Sequence, residues 1–227
     1  MERLRLKDAL MYFFKSTGWL AKLITLLGLI FVPIIGWLAI LGYFLRIAEK
    51  WVSGEYETLP DFSNFGSMIM AGLILFVVMI VYSVPQMVLA FIPCLGNLLS
   101  TAYNIILILI APYLISVVAV DKSISPDVFN FNRIIQFVSD NIVNLLIILA
   151  VDIVVGIVSV ILLAPFVVGG VVFLINAENN NTLYIPAIAS FAIACVILFL
   201  VSIWSSSVIY SLSGNVYGIW LGRRNPS

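Results

Sequence analysis

Asp152 is the residue in this sequence best placed to do chemistry. It sits in "LLIILAVDIVVGIV", an apolar run with no basic residue. It lies ten residues past Ile142 and twelve before Ala164, which puts it near the middle of a bilayer if that run crosses one. An ionised carboxylate there costs roughly 2.5–3.5 kcal/mol on insertion scales unless it is paired or protonated. At 100° per residue, Asn141, Asn144, Asp152, Gly156 and Ser159 fall within about 120° of one helical arc. A second polar stripe in "GNLLSTAYN" joins Asn97, Ser100, Thr101 and Asn104. If the two stripes face each other, Asp152 could take up a proton or a cation along a polar pathway. The plainer reading is a neutral Asp152 hydrogen-bonded to a neighbouring helix. It carries more weight, because nothing else marks a pathway.

The other chemical groups are sparse. The chain has no His, which removes the usual proton shuttle, the commonest metal ligand and every His-based triad. Cys94 and Cys195 lie in apolar runs and read as small buried thiols. Glu55, Glu57 and Asp61 in "GEYETLPDF" lack a ligand partner for a metal and read as a solvated loop. Pro60 should stop one helix, and Asp61 or Ser63 should cap the next. No phosphate loop, nucleophile elbow, metal cluster or basic nucleic-acid patch is present in the sequence. The expectation is no enzyme, no cofactor, no metal and no nucleic-acid partner. Asn180-Asn181-Thr182 matches a glycosylation sequon.

Composition says what must position these groups. The 227 residues are 63% hydrophobic and 10% charged, with a mean hydropathy of +1.19. A soluble domain is about 45–50% apolar and about 25% charged. Lipid must therefore be the solvent for most of the surface. The apolar runs are Leu23–Leu45, Met68–Ile92, Leu95–Val120, Ile142–Ile175 and Ile185–Leu212. The first contains "VPIIG", echoed by "IPCLG" at 92–96 and loosely by "APFVVGG" at 164–170.

Charge decides how the first run is laid. If it crosses once, the eleven Lys and Arg divide five against six. If it reverses at Pro33–Gly36, all eleven share one side, as the positive-inside rule favours. The reversal is therefore expected, with both termini cytoplasmic in a cell membrane. Each arm, of about ten residues, is short for a core about 30 Å thick. The hairpin either crosses with Lys22 and Arg46 snorkelling or dips part way. The expected fold is all-α: a polytopic transmembrane bundle of about six inserted helices in three hairpins. The fifth helix should end near Ala164, with 165–184 outside. Residues 1–22 form a basic cytoplasmic or interfacial segment, 23–222 one transmembrane domain and 223–227 a short tail. An interfacial helix in "MERLRLKDALMYFF" would be only moderately amphipathic, because Arg3 and Lys7 intrude on its apolar arc. Trp19, Trp37, Trp51 and Trp220 read as interface anchors, as does "FNFNR" at 129–133. Gly214, Gly218 and Gly222 recur at the spacing that lets helices approach closely, within the bundle or in a dimer.

Pro33, Gly36, Gly42, Tyr43, Leu59, Pro60 and Asp61 stand in "VPIIGWLAILGYFLRI" and "LPDF". This pattern, with Gly54 and Gly72, resembles a family of prokaryotic integral membrane proteins known as a domain of unknown function. The resemblance covers roughly residues 15–120. It implies a multi-span helical architecture and brings no activity with it. Two functional readings follow. One is a non-enzymatic membrane component that assembles with lipid, another membrane protein or itself. The other is a small proton- or cation-coupled transporter or channel using the Asp152 face.

Overall fold

The computed structural model describes residues 4–92, 95–177 and 181–224. Pro93, Cys94 and residues 178–180 of the expected outer turn at 176–181, including Asn180 of the sequon, lie outside the described residues. The helices are α1 (Leu6–Lys15), α2 (Trp19–Ile30), α3 (Ile35–Val52), α4 (Phe65–Ala90), α5 (Gly96–Asp121), α6 (Phe131–Ala177) and α7 (Tyr184–Arg224). Short 3-10 turns lie at Pro126–Phe129 and Asn181–Leu183. Among the described residues there is no strand. The chain is an all-helical membrane-type bundle, because α4, α5, α6 and α7 are each long and apolar enough to cross a bilayer.

The first apolar run breaks where Pro33 stands. Helix α2 ends at Ile30 and α3 begins at Ile35. Pro33 has no N–H to donate, and Ile34 takes a positive φ of 62° that no helix accepts. The arms then close up: a Cβ on Gly36 would lie 1.8 Å from the Leu29 carbonyl oxygen. Lys22 at the start of α2 and Arg46 near the end of α3 both bond to the 59–64 segment. The two ends of the run therefore meet at one place, and the chain has doubled back. With twelve residues, α2 is about 18 Å long, too short to cross a core of about 30 Å. The count of six inserted helices holds only if these short arms are included. Joining α1 to α2 would give another span by composition, but their axes bend apart by 85°.

Two compact units divide the chain. The first holds residues 1–149 and 207–227. In it α3 crosses α4 at Gly42 and Gly72, where a Cβ on either would fall 1.8–1.9 Å from the other helix's carbonyl oxygen. Without water to drive helices together in lipid, such close contact supplies dispersion that side-chain burial supplies elsewhere. The 122–130 connection folds back onto the helices. Tyr82 of α4 donates to the Val128 carbonyl at 2.6 Å and Tyr113 of α5 to that of Asp127 at 3.2 Å. Aromatic rings of Tyr113, Phe137, Tyr217 and Trp220 cluster at centroid distances of 5.3–6.2 Å.

The second unit, residues 150–206, is built from the rest of α6 and α7. Its buried residues include Ala177, Ala187 and Ala194, and the Phe191 ring lies against Gly170. Small side chains thus mark its internal contact, as membrane helix pairs require. Helix α6 does not stop near Ala164 as expected. It continues through Pro165 to Ala177. One proline removes one hydrogen bond, and a helix in lipid keeps its remaining ones, because no water replaces them.

Candidate functional site at the charged end of the bundle

The strongest convergence of polar side chains in the first unit lies where α1, α2 and α3 meet residues 53–64. Helix α3 begins apolar and ends "RIAEKWV", so its last turns carry Arg46, Glu49 and Lys50 out of the apolar layer. Arg46 donates to the carbonyls of Asp61 at 2.9 Å, Ser63 at 2.6 Å and Asn64 at 3.0 Å, and to Ser67 Oγ at 2.9 Å. The planar guanidinium suits this, because its donors diverge in fixed directions. Asn64 precedes α4 at φ 54°, and no side-chain cap forms. Neither Asp61 nor Ser63 is the expected cap. Arg46 instead ties down the carbonyls leading into α4.

The lysines are similarly engaged. Lys22 donates to the Leu59 carbonyl at 2.8 Å and pairs with Asp61 at 3.0 Å. Lys50 reaches Thr58 Oγ1 at 2.8 Å and Glu55 at 3.2 Å. Lys122, just past α5, pairs with Glu49 at 2.7 Å. Beneath them Tyr12 donates to the Thr58 carbonyl at 2.7 Å. Burial pushes its hydroxyl pKa up, which keeps it a donor. The Leu59 N–H donates to Ser16 Oγ at 3.0 Å, and Phe62 stacks on Tyr43 at 4.9 Å. Arg5 reaches α7 through its backbone N–H, which donates to Asn215 Oδ1 at 3.1 Å.

These groups line two open clefts. One, of about 600 Å³, runs between Arg46, Glu49, Lys50, Asp61, Asn64 and Lys122. The other, of about 750 Å³, lies between Arg5, Asp8, Lys15, Glu55 and Glu57. Cations and carboxylates alternate in both, so neither carries a single-sign field for a simple ion. Among the described residues no group of three His, Cys, Asp or Glu side chains could hold a metal.

Lys22, first by its hydrogen bond and then by its charge, holds the Asp61 carboxyl below the usual carboxylate range. A lowered folded-state pKa means stability present above the ordinary carboxylate pKa and lost as pH falls through the lowered one. Asp61 is 79% exposed, so solvent screening keeps the contribution at or below about 1 kcal/mol. We expect Asp61→Asn to lower the melting temperature slightly at neutral pH and not at strongly acidic pH. An equal loss at both would contradict the pairing.

Of the motif residues named from sequence, Leu59, Pro60 and Asp61 lie at this site, whereas Pro33 and Gly36 lie at the α2–α3 turn. Gly36 and Gly42 are close-approach points, while Tyr43, Leu59 and Pro60 are buried. Pro33 is exposed at the α2–α3 turn, and Asp61 holds Lys22. The polar-stripe residues lie elsewhere. Asp152 and Asn97 are exposed, and Asn104 and Asn144 are half-buried. None of the four lines either cleft. Gly214 packs on Ala48 and Trp51, Gly218 on Val52, and Gly222 faces open space.

Three side chains depart from expectation. Trp51 and Trp220 are 0% and 3% exposed, so they belong to the core rather than the membrane interface; Trp220 donates to Asp140 at 3.1 Å. Cys195 is exposed on α7. A thiol is apolar enough to face lipid without penalty. Sequence reasoning also missed Arg46 as a clamp, since its acceptors are mostly backbone carbonyls. The one available signal was a cation placed directly after the buried "GYFL".

No curated protein and no solved structure matches the chain. A family pattern does, over residues 25–168, more than half the length. This chain therefore belongs to the family DUF4013, described as a protein of unknown function.

Proposed function

We propose that this membrane protein is a non-enzymatic component whose cytoplasmic, charged end is a rigid platform for assembly with lipid or another membrane protein. The observation that carries this reading is how the charged groups are used. Arg46 spends its donors on four acceptors, and Lys22, Lys50 and Lys122 each hold a partner. Groups so engaged brace a surface; a catalytic pair needs a nucleophile or base left poised toward substrate. The concentration of Lys and Arg at this end supports a cytoplasmic orientation. Purification of the native complex in mild detergent tests the reading. A stoichiometric partner protein or retained lipid is expected. A lone chain that moves protons or cations in vesicles would contradict it.

One observation favours the transporter reading. Asp152 stands beside the exposed Ile153 and Val154 and has no hydrogen bond or ion pair among the described residues. An intramembrane carboxylate of this kind is a functional candidate by default. Asp152→Asn separates the two. The component reading predicts vesicle flux at background for both forms and an altered yield of the complex. The transporter reading predicts flux in the wild type that the variant abolishes with its fold intact.

A further inference from the structure

Helix α1 has two apolar sides, and only one is used inside the molecule. Ala9, Tyr12, Phe13 and Ser16 are buried, at the spacing of a single helical face. That face rests on Trp51, whose ring meets Tyr12 edge-on at 5.4 Å. The outward face is Lys7, Met11, Phe14 and Lys15, again at one-face spacing. Met11 and Phe14 are 46% and 49% exposed, and both lysines are exposed.

This outward face continues onto α2. Phe14 meets Trp19 edge-on at 5.5 Å, and beyond it Leu20 and Ile24 are exposed. Helix α2 leads into the apolar hairpin, and α1 bends from it by 85°. A helix nearly perpendicular to one that descends into lipid runs along the membrane plane. Its outward face pairs apolar side chains with lysines, and Lys stems can lie along the acyl boundary while their ammonium groups reach the headgroups. A face turned to bulk water would gain nothing from Met11 and Phe14.

We propose that α1 lies in the headgroup layer and binds anionic phospholipid, with Lys7 and Lys15 on the phosphates and Met11 and Phe14 in the acyl boundary. The neighbouring charges set the division of labour. Asp8 pairs with Lys15 at 3.3 Å and with Arg5 at 3.7 Å. Arg5 also lies over the Tyr56 ring at 4.2 Å. Lys7 makes no hydrogen bond or ion pair among the described residues, so it is the principal headgroup contact and Lys15 the shared one. The site continues the lipid-facing surface of the bundle, and this inference does not depend on the component reading.

The test uses the full chain in phosphatidylcholine vesicles with spin-labelled phosphatidylglycerol or spin-labelled phosphatidylcholine. The motionally restricted fraction gives the relative association of each lipid. The wild type should prefer phosphatidylglycerol, Lys7→Gln should weaken that preference about fivefold, and Lys7→Gln with Lys15→Gln should remove most of it. Both positions are exposed, so the fold should survive, and an unchanged melting profile checks this. A nitroxide on Met11→Cys should report headgroup depth. An unchanged preference in the double variant, a water-exposed nitroxide, or displacement of the lipid by inorganic phosphate would each overturn the proposal.

Discussion

Gly42→Ala and Gly72→Ala should each unfold the first unit far more easily than a methyl group added at a glycine that faces open space. A methyl group added at Gly72 would lie 1.9 Å from the Leu38 carbonyl oxygen and 3.0 Å from the Gly42 nitrogen; one added at Gly42 would lie 1.8 Å from the Met68 carbonyl oxygen. These obstacles are backbone atoms, which cannot swing aside as a side-chain tip can. The only relief is for α3 and α4 to move apart, loosening the contact that buries Ala39, Tyr43, Met68 and Leu75. Overpacking a tight site costs about 1–3 kcal/mol and occasionally more; a whole-helix displacement belongs at or above the top of that range. In lipid the loss is not made good by a hydrophobic drive between the helices. Thermal and denaturant unfolding in detergent measure it. Gly28→Ala and Gly66→Ala are the controls, since their Cβ positions meet nothing within 4 Å. They should be neutral or stabilising by up to about 1 kcal/mol. If Gly42→Ala and Gly72→Ala unfold no more easily than these controls, the α3–α4 crossing is wrong.

Arg46→Met should release the 59–64 segment before the rest of the molecule unfolds. Met keeps most of the apolar stem and removes every donor, so three backbone carbonyls and Ser67 Oγ lose their partner together. Hydrogen bonds to a charged group contribute about 1.5–3 kcal/mol. Water reaches the freed carbonyls, so the net loss should be about 2–3 kcal/mol rather than the sum of four bonds. Arg46→Lys should not rescue it, because an ammonium on a flexible stem cannot serve four divergent acceptors. Hydrogen exchange and limited proteolysis should show new lability at residues 59–67 in both variants. Full protection in Arg46→Lys would mean that charge alone holds the segment.

Much of this was legible in the sequence, for identifiable reasons. The reversal at Pro33 followed from the distribution of Lys and Arg, because charge can be kept to one face only by turning there. The all-helical bundle followed from apolar runs of crossing length. The role of Lys7 was hidden by the assumption that a surface helix has one apolar face. Its intrusion into the apolar arc of α1 marks a helix pressed between protein and membrane. Trp51 and Trp220 were misplaced because a tryptophan near a helix end looks the same whether it faces headgroups or a neighbouring helix. The end of α6 was misjudged because one proline weighs little against an unbroken apolar run. Arg46 announced its charge but not its acceptors, which are mostly main-chain atoms that any sequence could supply. Asp152 was legible as a residue type, while its unpartnered setting came only from the structure.

Two exposed positions, Thr17 before α2 and Glu57 after α3, bracket the first apolar run and measure its path directly. Each is changed to Cys alone in a chain freed of the thiols at Cys94 and Cys195, then treated with an impermeant thiol reagent in intact and opened cells. The doubled-back hairpin predicts that Thr17→Cys and Glu57→Cys react from the same side of the membrane. Reaction of one from outside and the other only after opening would mean that the run crosses, and the shared charged end would be lost with it.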